Sequence, residues 1–312
     1  MQNTPLTFRG FIPLPENKSP GGFDHAAIHT KSRQLYVAHT ANDTLDIIDL
    51  KQETFSRSLS GLTGIAGALV SDAQDLVFTS NRGEDTVGIF EVSNPTKLRK
   101  VSVGSRPNGL AYDAKAGLLL VAHVGLPNQP ETYSVALVHV ATGEVVRTLP
   151  VPGRTRWAIF DAKTNCFYVN IGTPAQIIVI ESTAHPGPLR VLPIPGDGPH
   201  GLDLDPQSGR LFCACDGRQL VTIEATTGRV IDQAELTGTP DVIFYNANLK
   251  HLYVAIGDPG VIDVFDTDTM KKLGTSPTEK GAHTIAFDAE TNRVYAFLPQ
   301  SHRAAVYQDQ RF

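Results

Sequence analysis

Three histidines and one aspartate occupy the same position in successive copies of a short repeated segment, a donor set that could hold a transition metal. The copies read Asp24-His25-Ala26-Ala27-Ile28, Pro107-Asn108-Gly109-Leu110-Ala111, Thr155-Arg156-Trp157-Ala158-Ile159, Pro199-His200-Gly201-Leu202-Asp203, Pro240-Asp241-Val242-Ile243-Phe244 and Ala282-His283-Thr284-Ile285-Ala286. Ala66-Gly67-Ala68-Leu69-Val70 is a weaker copy. Their second residues are His25, Gly67, Asn108, Arg156, His200, Asp241 and His283, roughly 42 residues apart. Imidazoles with a carboxylate suit Zn, Fe, Mn, Co or Ni, with Zn, Fe or Mn the expected cofactor. Ca and Mg want mostly oxygen and fit poorly. No local H-E-x-x-H spacing occurs, so His25, His200, Asp241 and His283 can meet only through the repeat.

Further residues could act on a substrate beside such a metal. Arg156 is the only cation in the set, and its fixed guanidinium can hold a carboxylate or oxyanion bidentately. Its structural alternative is an ion pair with Asp241 or another channel acid. Asn108 could donate to a carbonyl, and Gly67 leaves space. His39 and His123 end QLYVAH and LLLVAH, with Ser80 and Cys215 near the corresponding ends of other copies. Both imidazoles are candidate general acid/base groups. Asp24 precedes His25 and could orient it. The third step, from Asn108 to Arg156, is the longest. Its extra residues, 125–133, end in Tyr133 and read as a specificity loop or partial lid that brings Tyr133 to the substrate.

The elements that must position these groups follow from the same period. Repeats of 40 to 50 residues in an all-β pattern signal four-stranded propeller blades. In the first copy the strands are His25 to Thr30, Gln34 to His39, Thr44 to Leu50 and Thr54 to Leu59. Second strands recur as LVFTS, LLLVAH, CFYVN, RLFCAC, HLYVAI and RVYAFL. The seventh copy stops after three strands, while Arg9 to Pro15 resembles the outer-strand segments at 147–152 and 190–195. The N-terminal strand, about residues 6–14, should therefore complete blade seven and close the ring as one domain over 1–312. First strands line the central channel of a propeller, so the matched residues should ring one mouth. His200, Asp241, His283 and His25 then fall on consecutive blades over roughly 150° of arc, leaving the other side open. Asp72, Asp113, Asp161, Asp205 and Asp288 follow the first strands and read as turn residues. Trp157 reads as packing between blades.

Composition narrows the partners. The chain has 312 residues, 27 Lys and Arg against 32 Asp and Glu, and a net charge of −5. No basic face is visible, so nucleic acid is not an expected partner. An apolar N-terminal core and a membrane-length run are both missing from the sequence, so the expectation is a cytoplasmic protein, with a monomer plausible. The cysteines, Cys166, Cys213 and Cys215, are odd in number and read as core residues rather than a disulfide framework.

The segments LYVAHTANDTLDIIDL, LLLVAHV and LYVAIGDPGVIDVFD resemble the repeat of YVTN-type, lactonase-like seven-bladed propellers. The resemblance covers essentially the whole chain. It implies the fold, and it implies that enzymes of lactonase and lyase type stand among the relatives beside binding proteins. The asparagine usual after the second strand is replaced here at several blades, His39 and His123 among them. The resulting expectation is a metal-dependent hydrolase or lyase acting on a small anionic carbonyl compound at the channel mouth. A non-enzymatic propeller binding a protein or ligand is the competing class, and a non-haem iron oxygenase a further variant.

Overall fold

Short runs of alternating and β-branched residues punctuated by Asx and glycine turns favour hairpins, and hairpins stack into blades. The computed structural model describes residues 5–310. Among these, the strands form seven four-stranded antiparallel sheets. Blade one comprises Ala26–His29, Gln34–His39, Thr44–Asp49 and Thr54–Leu59. Blade seven comprises Thr284–Asp288, Arg293–Leu298 and Arg303–Asp309, and takes Leu6–Pro13 as its outer strand. Leu6 pairs with Asp309 and Ile12 with Ala304, with a bulge between Phe8 and Gly10. The ring therefore closes through its N-terminal strand.

Burial follows blade contact. Each junction between neighbouring blades has its own apolar cluster. The closing junction packs Ile12, Leu14 and Phe23 with Leu35, Val37, Tyr295 and Phe297. Cys213 and Cys215 sit in the junction of blades four and five as free thiols, the core role expected of them.

One device repeats at every blade. The residue before each second strand has a left-handed backbone: Arg33, Asp75, Gly117, Asn165, Gly209, Lys250 and Asn292, with φ between 53° and 71°. The turn that reverses the chain there needs this conformation, and in blades three, four, five and seven a carboxylate caps it. Asp113, Asp161, Asp205 and Asp288 accept backbone N–H groups two residues on at 2.9 to 3.1 Å. Asp72 departs from the pattern, accepting instead from the Thr30 N–H of the preceding blade at 2.7 Å.

Ring closure makes a contrast that can be measured. Ile12 is 1% exposed and Phe8, on the same strand, 48% exposed. Ile12→Ala should cost about 2–5 kcal/mol in urea unfolding, and Phe8→Ala under about 1 kcal/mol. Equal losses would mean that burial of the closing strand is not what stabilises it.

Candidate functional site

The first strands enter the channel side by side, and close backbone approach sets their spacing. A Cβ on Gly109 would lie 2.5 Å from the Arg156 carbonyl oxygen, so glycine lets blades three and four meet at the mouth. The matched residues do converge there. His25, Asn108, Arg156, His200 and Asp241 line one polar cavity of about 180 Å³, together with Asp24, Arg82, Arg154 and Trp157. His283 stands beside it, its Nε2 3.9 Å from Asp241 Oδ2 and its Nδ1 2.8 Å from the Gly281 carbonyl.

Convergence does not produce a metal cage. Among the described residues, no group of three or more His, Cys, Asp or Glu side chains is placed to hold a metal ion. The reason lies in what each imidazole already does. His200 Nδ1 is 2.7 Å from Asp216 Oδ1, and its Nε2 is 3.3 Å from Asp241 Oδ1 and 3.4 Å from Arg156 Nη1. A guanidinium beside the nitrogen that would have to ligate repels a cation. His25 is 6% exposed and stacks on Trp157, ring centroids 4.1 Å apart, with Asp24 Oδ1 3.5 Å from its Nε2. Burial lowers the His25 pKa, the charges of Asp24 and Asp241 oppose that, and Arg82 and His200 add to it.

The mouth is instead a field of guanidinium groups and acids. Arg156 Nη2 reaches Asp216 Oδ2 at 3.2 Å, so the ion pair forms with a channel acid other than Asp241. Burial works against the Asp216 charge, but hydrogen bonding and charge from His200, with the charges of Arg156 and Arg154, hold its carboxyl below the usual range. Arg82 Nη2 is 2.5 Å from Asn108 Oδ1 and 3.4 Å from Asp24 Oδ2. Asn108 thus accepts from a guanidinium through Oδ1 while it lines the cavity. Arg154 makes no ion pair or side-chain hydrogen bond among the described residues. Desolvation lowers its pKa, and the like charges of Arg156, Arg82 and Arg106 lower it further.

His39 and His123 are not at the mouth. Both are fully buried. His39 Nδ1 lies 2.7 Å from Asp46 Oδ2 and its Nε2 2.8 Å from Asn17 Oδ1, with Phe23 stacked at 4.3 Å. His123 Nδ1 is 2.9 Å from Ser134 Oγ, and its Nε2 accepts from the Gly104 N–H at 3.1 Å. Burial pushes the His123 pKa down to about 4. Strand alternation explains the displacement: the last residue of the second strand points between blades, and the next one turns to the channel. That next residue is Arg82 in blade two and Asp216 in blade five. Their charge at matched positions was the signal that pointed to the mouth. Tyr133 lines a separate cavity of about 290 Å³ with Arg106, Pro127 and Asn128, joined to the polar mouth only through Arg154. Trp157 packs against the junction of blades four and five, as expected, and its ring also stacks on His25 across the ring and lines the channel.

No family model matches the chain. Uncharacterized proteins of Staphylococcus aureus are similar to part of it. One, from strain bovine RF122 / ET3-1, is 27% identical over 120 residues, covering 34% of this chain and 35% of its own length. Another, from strain USA300, is 29% identical over the same length and coverage. The chain thus matches about a third of the length of these curated relatives. Solved structures match it far more completely. A chain of the mitotic checkpoint complex superposes with a TM-score of 0.80 at 11% identity, covering 97% of this chain and 91% of that one. A chain of Kuenenia stuttgartiensis hydrazine synthase gives 0.80 at 13% identity, with 94% and 97% covered. At such identities the likeness is one of fold. No helix among the described residues is long and apolar enough to cross a membrane.

The pKa of His123 makes stability depend on pH. Below 6.5 an unfolded chain takes up a proton at this histidine that the folded protein refuses until about pH 4. Stability is therefore greatest above that window and falls as pH drops through it, by about 3 kcal/mol from this group. Urea unfolding at pH 7.5, 5.5 and 4.5 should show the decline, and His123→Gln should flatten it. An unchanged slope in the variant would remove His123 as its source.

Proposed function

We propose that the protein is a YVTN-type propeller that binds a small organic anion, a carboxylate or phosphate, in the polar mouth of its channel. The observation that carries this is Arg154, which shares the cavity with Arg82 and Arg156 and has no carboxylate of its own. Guanidinium groups present planar donor forks matched to carboxylate and phosphate, and a partly desolvated site strengthens the attraction. Arg156 is held in place by Asp216, and Arg82 by Asn108 and Asp24, so the donors stand ready without reordering.

A catalytic reading is favoured by one further feature, the Asp216–His200 pair at 2.7 Å. With Nδ1–H donated to Asp216, Nε2 carries the lone pair at the cavity. There it would take a proton from water as the water oxygen attacks an ester or lactone carbonyl. Asp216 would stabilise the imidazolium, Arg156 the developing oxyanion, and the proton would pass to the leaving oxygen. This hydrolysis needs no metal, and it replaces His39 and His123 by His200 in the proton-transferring role.

Calorimetric titration with inorganic phosphate and with succinate tests the binding reading. One saturable site is expected, weakened at least tenfold in Arg154→Ala and further by added salt. Heat that is absent, or unchanged in Arg154→Ala, would overturn it. Turnover of a panel of chromogenic esters and lactones tests the second. His200→Ala should abolish it and Asp216→Asn should reduce it by about 10²-fold or more while the ring stays folded.

A further inference from the structure

Below the His25–Trp157 pair the channel changes character. A second cavity, about 470 Å³, begins under those two rings and ends at Thr30, Ala114 and Ala289, in the turns at the opposite face. Its walls are aliphatic and aromatic, with Tyr112, Phe160, Phe244 and Phe287 among them. Into this lining the protein sets Asp203. The fifth residue of the repeated segment is Ile28, Val70, Ala111, Ile159, Phe244 or Ala286 in the other copies, and aspartate only in blade five.

Asp203 has no cationic partner among the described residues. Its Oδ2 accepts from the Tyr245 N–H at 2.7 Å and its Oδ1 from the Leu204 N–H at 2.8 Å. These bonds hold the carboxylate but bring no opposite charge. Burial pushes its pKa up to about 6 against those two N–H groups, so it is still mostly ionised at neutral pH. The other titratable groups facing the chamber do not compensate it. Burial disfavours a charge on His25. Tyr112 has its phenol pKa raised, chiefly by burial. Asp288 at the rim is bonded to the Arg33 guanidinium, Nη1 to Oδ1 at 2.9 Å.

A lone carboxylate among aromatic rings is the arrangement that recognises organic cations. The rings offer their negative faces to a poorly hydrated ammonium, and the carboxylate supplies the charge that an apolar wall lacks. We propose that this chamber is a binding site for a small organic ammonium cation with apolar substituents, with Asp203 as its counter-charge. The site is separate from the anion-binding mouth, and the His25–Trp157 pair is the partition between them.

Trp157 is the only tryptophan in the chain, so its fluorescence reports on the chamber roof directly. Benzyltrimethylammonium is the probe, and its uncharged carbon isostere, 3,3-dimethyl-1-phenylbutane, is the control. The ammonium should change the emission saturably and bind at least tenfold more tightly than the isostere. Asp203→Asn, whose side-chain oxygen can still accept from Tyr245, should remove that preference while circular dichroism stays unchanged. Phe244→Leu keeps the carboxylate and should weaken the ammonium selectively, which provides a second reading if the first variant unfolds. Lowering the pH from 7.5 to 5 should also weaken it, as Asp203 takes up its proton. No saturable change, equal affinity for the isostere, or an unchanged preference in Asp203→Asn would overturn the proposal. Phosphate titrations of the same samples report on the mouth independently, so either site can fail without the other.

Discussion

The pairing of Leu6–Pro13 with Arg303–Asp309 joins two distant segments of the sequence, and closure of the ring depends on it. Without that strand, blade seven would have three strands and its apolar face would lack Ile12. The closing junction would lose much of its buried surface, and the ring could open there. Side-chain ties cross the same seam. Arg33 of blade one bonds Asp288 and Glu290 of blade seven, and Arg293 of blade seven bonds Glu53 of blade one. Buried polar groups reinforce the last strand from the other side. Asp309 accepts from His251 Nδ1 at 2.7 Å and from the Tyr253 hydroxyl at 2.5 Å, both in blade six. A closed ring holds the first strands at fixed distances around the channel, and only then can residues from separate blades act as one site.

That fixed geometry divides the channel. His25 of blade one and Trp157 of blade four come from opposite sides and stack between a charged mouth and an apolar chamber. Charge is sorted accordingly. Guanidinium groups and carboxylates share the mouth, where their mutual pairing and remaining exposure limit desolvation. Asp203 is the exception in the chamber, held by backbone donors rather than by a cation.

Much of this was legible in the sequence. The repeat gave the blade count, the closing strand and the ring of residues around the mouth, because strand periodicity and turn chemistry are local properties. The direction of a side chain at the end of a strand was harder to read. Stopping at His39 and His123 rather than at the residue after each second strand put the candidates between blades instead of in the channel, and missed Arg82 and Asp216. The proposed metal quartet does not close into a cage among the described residues, for a different reason. The repeat can bring His25, His200, Asp241 and His283 to one mouth, but each imidazole's orientation is decided by contacts that the repeat does not specify. Trp157 captures His25, Asp216 and Arg156 engage His200, and the Gly281 carbonyl holds His283. The aspartate in the fifth position of blade five was visible from the alignment of copies alone, and only the enclosed channel gives it meaning.

The closing strand also has a consequence in time. Residues 6–13 leave the ribosome before the other described strands, and their partner at 303–309 follows all of them. At ~5–20 residues per second, the interval is on the order of tens of seconds. Throughout it, a strand bearing Phe8, Phe11 and Ile12 has no hydrogen-bonding partner, and of the apolar residues it packs against only those of blade one have been made early. Six blades can stack while it waits, so the nascent chain passes through a long-lived open arc with one unmatched sticky end. Pro13 and Pro15, which remove backbone donors, and Arg9, which adds charge, sit on or beside that end and make it a poorer template for a strand from another chain.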